Sequence, residues 1–108
     1  MPTVTPGIGV EQSTEHRQEP LFNVVLLDDN HHTYEYVIDM LCHLFAMGER
    51  QAYRHAVEVD TTGRTIVITC EREHAEFARD QIHAYGRDWR MPRSQGSMSA
   101  IIEPATAP

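Results

Sequence analysis

From residue 22 to residue 27 apolar side chains run almost without a break: Phe22, Val24, Val25, Leu26 and Leu27, interrupted by Asn23. Such a run predicts a strand covered on both faces. It ends abruptly in three polar acceptors, Asp28, Asp29 and Asn30. Tyr34, Val37, Ile38, Leu41, Leu44 and Phe45 then recur at helical spacing, which predicts a helix from Thr33 to Ala46. Thr33 suits its N-cap, and Glu35 in the first turn suits its dipole. Gly48 breaks that helix. A second, shorter one is expected from Glu49 to about Val59, with Ala52, Tyr53, Ala56 and Val57 inward. Asp60-Thr61-Thr62-Gly63 reads as a turn.

Thr65 to Cys70 is rich in β-branched residues and predicts a second strand. Glu71, Arg72 and Glu73 open a third helix with Ala75, Ala78, Ile82 and Tyr85 as its stripe, and Gly86 ends it. A polar loop spans Arg87 to Gly96. Ser97 to Glu103 makes a last strand, with Met98, Ala100 and Ile102 on one side. The order β-α-α-β-α-β predicts an α+β domain: a small three-stranded antiparallel sheet covered on one face by three helices. Residues 1–20 show no period and carry several Pro, Gly and Glu, so they are expected to form a flexible tail. The domain is then residues 21–104, followed by a short tail at 105–108.

Charge narrows the field of partners. A formal net charge of −7 over 108 residues opposes binding to nucleic acid or an anionic membrane, since both demand Lys and Arg. It favours basic or cationic partners. Two well-separated cysteines, Cys42 and Cys70, read as reduced thiols of a cytoplasmic protein. No apolar run approaches the roughly 20 residues of a membrane span. A small acidic domain of this kind is expected to be a monomer.

Asp28-Asp29-Asn30-His31-His32 is the densest polar cluster, and three chemistries compete for it. Carboxylates and imidazoles ligate metals, but no distant H-x-x-x-H or C-x-x-C completes a tetrahedral set, so no metal is assigned. A solvated, capped turn is the plainest alternative. In the third reading Asp28, Asn30 and Asp60 meet in space and offer several acceptors to an ammonium group beside an apolar core. A catalytic role finds little support: Cys42 and His43 are adjacent on a helix and so do not face each other. No G-x-S-x-G, P-loop or H-E-x-x-H is present. No cofactor is assigned.

The run Asn23-Val24-Val25-Leu26-Leu27-Asp28-Asp29-Asn30 followed by Glu35-Tyr36-Val37-Ile38-Asp39-Met40-Leu41 resembles the ClpS family, adaptors of the Clp ATP-dependent protease. The family's motif there is a V-x-L-x-N-D-D strand end, a proline or threonine turn, and a M-E-F-V-x-x-V-L-type helix. Val59-Asp60-Thr61-Thr62-Gly63 is similar to its V-H-x-x-G, and Arg72-Glu73-His74-Ala75-Glu76 to its x-E-x-A-E. The likeness covers about residues 22–103.

The resemblance implies an adaptor that binds proteins bearing a free bulky apolar N-terminal residue. It then delivers these N-degron substrates to a Clp AAA+ unfoldase of the ClpA or ClpC type. It implies that Asp28, Asn30 and Asp60 hold the α-amino group. Tyr34, Val37, Ala56, Val59 and Met98 would line the side-chain pocket, and Asp29, His31 and His32 would order the corner. Glu73, Glu76 and Arg79 fall on the docking face, and the segment before the domain would engage the unfoldase. Against the family's pattern, Asp28 and Asn30 exchange an asparagine and an aspartate, and Asp60 replaces the histidine. Tyr34 stands at the methionine gate, and Ala56 replaces the methionine that narrows the pocket. The alternative is a divergent adaptor that tunes an unfoldase without reading N-termini.

Overall fold

A computed structural model of the chain describes residues 20–106; the predicted tail lies outside them apart from Pro20. Six elements follow in the expected order: β1 (Leu21–Leu27), α1 (Tyr34–Phe45), α2 (Glu49–Thr62), β2 (Arg64–Glu71), α3 (Arg72–His83) and β3 (Ser99–Pro104). The sheet order is β2-β1-β3, with both pairs antiparallel. The continuous apolar run explains why β1 is central. Phe22, Val24 and Leu26 face the helices and join the core, and Val25 is buried on the opposite face between its cross-strand partners Ile66 and Ile101. The register shifts between Val24 and Val25, leaving Val67 as the extra residue of a bulge in β2.

Helix α1 supplies Tyr36, Val37, Met40 and Leu41 to the core, which they share with Ala52, Ala56 and Val59 of α2 and Ala75, Ala78 and Ile82 of α3. The small alanines of α2 and α3 let those helices sit close to the sheet. Each fully buried leucine or valine contributes about 1.5–3 kcal/mol relative to an exposed one. Thr33 caps α1 as expected, its hydroxyl accepting the Tyr36 N–H at 3.1 Å.

Helix α2 departs from expectation. It continues through Asp60, Thr61 and Thr62, which were read as a turn, and stops at Gly63, whose φ of 91° no β-carbon-bearing residue adopts easily. Within that last turn the Thr61 and Thr62 hydroxyls donate back to the Val57 and Glu58 carbonyls at 2.8 Å, which satisfies them without leaving the helix. The inward face is therefore Ala52, Ala56 and Val59; Tyr53 is 51% exposed and Val57 only half-buried. At the other end of the chain, Ser97 and Met98 precede β3 rather than belong to it. Pro104 completes that strand, and the next amide, of Ala105, donates to the Leu21 carbonyl at 2.9 Å.

The segment between α3 and β3 is fastened by Asp88, which is fully buried. Its Oδ2 accepts the Thr33 amide at 2.7 Å and the Thr33 hydroxyl at 2.8 Å. Its Oδ1 accepts the Arg90 amide at 3.0 Å and the Arg90 guanidinium at 3.2 Å. Arg90 reaches on to Asp39 of α1 at 2.7 Å. Burial pushes the Asp88 carboxyl up, but the hydrogen bonds from Thr33 and Arg90 outweigh it and hold the pKa below the ordinary aspartate value.

Asp88→Ala should lower the unfolding free energy by about 1–3 kcal/mol, because it leaves the Thr33 amide and hydroxyl without their acceptor and removes one of the two carboxylates on Arg90. The urea midpoint checks this. With a depressed folded pKa, the unfolded chain takes up the proton first as pH falls. The contribution is fully present above about pH 4 and is lost as pH drops through the lower, folded value. Asp88→Asn should therefore show a shallower acid limb in the same titration.

Candidate functional site

Strand β1 delivers the chain to a corner whose backbone is held by its own side chains. The Asp28 amide donates to the Gly63 carbonyl at 3.0 Å, which sets the corner against the end of α2. The Asp28 carboxylate accepts the Asn30 amide at 3.3 Å, and the Asp29 carboxylate accepts the His31 amide at 2.9 Å. These two successive Asx-type contacts turn the chain sharply. Asn30 sits in the left-handed region with φ 63°, a conformation asparagine tolerates better than most residues, and it is exposed.

Asp60 lies on the last turn of α2, three residues before the Gly63 whose carbonyl receives the Asp28 amide. Its carboxylate is engaged: the hydroxyl of Tyr34, the first residue of α1, donates to Oδ2 at 2.7 Å. That hydrogen bond, with the nearby negative charge, raises the Tyr34 phenol above its ordinary pKa. The Tyr34 ring also meets Tyr53 edge-on, with centroids 5.9 Å apart. Of the other predicted pocket positions, Val37, Ala56, Val59 and Met98 are all buried within the core cluster on which the partly buried Tyr34 packs, and neither described cavity is lined by them.

His32 is the pin of the corner. Its side chain is 3% exposed, with Nδ1 at 2.9 Å from the Asp29 carboxylate and Nε2 at 2.7 Å from the Gly96 carbonyl. The ring packs on Tyr36 at 4.5 Å. Ser94 Oγ lies 3.1 Å from Nε2, which completes a Ser-His-Asp sequence of contacts. The serine is 2% exposed, and its oxygen accepts the Asp88 amide at 2.9 Å. The geometry ties a loop to a turn and presents no nucleophile to a substrate. Cys70 is no better placed, since burial and then the Glu71 charge push its thiol up, the opposite of activation. Among the described residues, no group of three or more His, Cys, Asp or Glu side chains is gathered to hold a metal ion.

The predicted docking residues lie along α3. Glu73 is exposed, Glu76 is 3.8 Å from Arg72, and Arg79 donates to Asp80 at 3.1 Å. Between them Phe77 is 63% exposed, an apolar side chain that the helical stripe alone did not single out. The composition of the loop likewise gave no role to Asp88 or Ser94. The available signal was its length: a ten-residue polar loop in a compact domain needs internal anchors.

Among the described residues, no helix is long and apolar enough to cross a membrane. The model of the family "ATP-dependent Clp protease adaptor protein ClpS" matches residues 17–92. An ATP-dependent Clp protease adapter protein ClpS of Synechococcus sp. is 32% identical over 77 residues, covering 70% of this chain and 85% of the relative. That of Nautilia profundicola is 30% identical over 92 residues, covering 85% and 92%. Among solved structures, Agrobacterium tumefaciens ClpS2 bound to L-phenylalaninamide aligns with a TM-score of 0.69 at 26% identity, over 81% of this chain and 99% of that one. Motif, fold and comparison agree, and the chain belongs to the ClpS family of ATP-dependent Clp protease adaptors.

Proposed function

We propose that the protein binds polypeptides through a free, bulky apolar N-terminal residue and delivers them to a Clp AAA+ unfoldase of the ClpA or ClpC type. The observation that carries this reading is that the Asp28 amide closes on Gly63, at the end of the helix bearing Asp60, while Asp60 holds the hydroxyl of Tyr34, which packs on the apolar core. Oxygen acceptors suit a protonated amine, and charge-assisted hydrogen bonds contribute about 1.5–3 kcal/mol each, enough to separate a free amine from an acylated one. Phenylalaninamide, the ligand of the related ClpS2 structure, has such an amine next to a benzyl group.

In this arrangement Asp28, Asn30 and Asp60 grip the amine. Tyr34 swings aside to open the way to Val37, Ala56, Val59 and Met98, while Asp29, His31 and His32 hold the corner in shape. Ala56 leaves room for a large ring. The exposed face of α3, with Glu73, Glu76, Arg79 and Phe77, docks the unfoldase. The protein acts in the cytoplasm as a monomer, its domain spanning residues 21–104. A second reading, a divergent adaptor that tunes the unfoldase without reading N-termini, draws on one observation: Asp60 is already occupied by the Tyr34 hydroxyl.

Peptides beginning with free Phe, Leu, Tyr or Trp should bind the purified chain, and their acetylated counterparts should bind at least about tenfold more weakly. Fluorescence anisotropy measures both. Asp28→Ala or Asp60→Ala should weaken binding by roughly 1–3 kcal/mol; unchanged affinity in both variants would place the amine elsewhere. Tyr34→Phe keeps the ring but frees Asp60, so affinity should rise by about two- to fivefold, the worth of one exposed hydrogen bond. Isothermal titration tests that; an unaltered value would show that the hydroxyl does not compete. Phe77→Ser should abolish co-sedimentation with the unfoldase while leaving peptide affinity intact, whereas the reverse pattern would remove α3 as the docking face.

A further inference from the structure

Next to the acceptor corner lies a cavity of about 330 Å³, lined on one side by Asp29, His31 and His32 and on the other by Arg93, Gln95 and Ser97. The proposed amine site does not use it. Its acceptors are the Asp29 carboxylate and Gly96, whose carbonyl faces His32, and its donors come from Arg93, Gln95 and the histidines. The Asp29 oxygen nearest the turn already accepts the His31 amide and faces His32. Arg93 makes no ion pair among the described residues, unlike Arg64, Arg72, Arg79 and Arg90.

His31 adds a second, independent sign. Its Nδ1 is buried and has no hydrogen-bond partner. A bare lone pair in that position costs less than a stranded N–H, so the ring's proton belongs on Nε2, which then acts as a donor. The Gln95 amide carries two further N–H groups. A guanidinium, an imidazole N–H and an amide around one hollow make a receptor for a carboxylate.

The position of the cavity says which carboxylate. Asp29 and His31 flank Asn30 in sequence, and successive α-carbons are about 3.8 Å apart, so the cavity begins within one residue of the amine site. An extended chain advances about 3.3 Å per residue. We propose that this cavity is a subsite for an acidic side chain at the second or third position of the bound N-terminal segment, with Arg93 as its specificity-determining residue. This rests on the reading of Asp28, Asn30 and Asp60 as the amine site. Those carboxylates alone would repel an acidic neighbour, so the preference depends on Arg93.

The test uses the full chain and peptides with a free N-terminal Phe that differ at positions two and three: Asp, Glu, Ala or Lys. An acidic residue at one of these positions should tighten binding about fivefold over Ala, the scale of a partly exposed charge pair. Arg93→Ala should erase that difference while leaving the Ala peptide unchanged, and Arg93→Glu should reverse the order in favour of Lys. Equal affinities for Asp, Glu and Ala, or an acidic preference that survives Arg93→Ala, would overturn the subsite while leaving the amine site standing. Acetylated peptides run in parallel keep the two failures apart: loss of free-over-acetylated discrimination overturns the amine site and the subsite with it.

Discussion

A single buried carboxylate organises the functional end of this molecule. Asp88 is shut away from water, a state a lone carboxylate would not hold, and it is satisfied by a helix cap on one oxygen and an arginine on the other. Because the cap belongs to α1 and the arginine also reaches Asp39, the loop after α3 is tied to the start of α1 at several points. The corner at residues 28–32 feeds directly into that cap. His32, wedged between Asp29 and Gly96, repeats the fastening from the other side. The site's geometry is thus set by elements far apart in sequence.

Around this frame the side chains at positions 28, 30, 34 and 60 fit one another as a set. The Tyr34 hydroxyl needs a partner, and Asp60 supplies the acceptor. The exposed, left-handed position falls to Asn30, a residue that tolerates it well. The Asp28 carboxylate meanwhile receives the next turn's amide.

The sequence made most of the fold legible, because its signals were local. The apolar run of β1, the helical stripe from Tyr34 to Phe45 and the glycines at positions 63 and 86 each carry their meaning within a few residues. The end of α2 was not legible: Asp-Thr-Thr-Gly has the composition of a turn, yet the helix runs through it to the left-handed Gly63, whose amide closes on the Val59 carbonyl. The partners of the corner were equally hidden. Nothing in Arg87 to Gly96 announces that Asp88 holds the cap residue of a helix 55 residues earlier, or that Gly96 offers a carbonyl to His32. Spacing identified Asp60 as a candidate but could not reveal that Tyr34 already holds it.

The extra turn of α2 has an electrical consequence. Helices concentrate partial negative charge at their C-termini, about half an elementary charge from the aligned peptide dipoles. Placing Asp60 on that last turn adds a full negative charge where the backbone already supplies one, with no basic residue in the turn to offset it. An empty molecule carries this as a standing tension between like poles. A positively charged guest would relieve it, so occupancy should steady α2 and, by mass action, the whole domain.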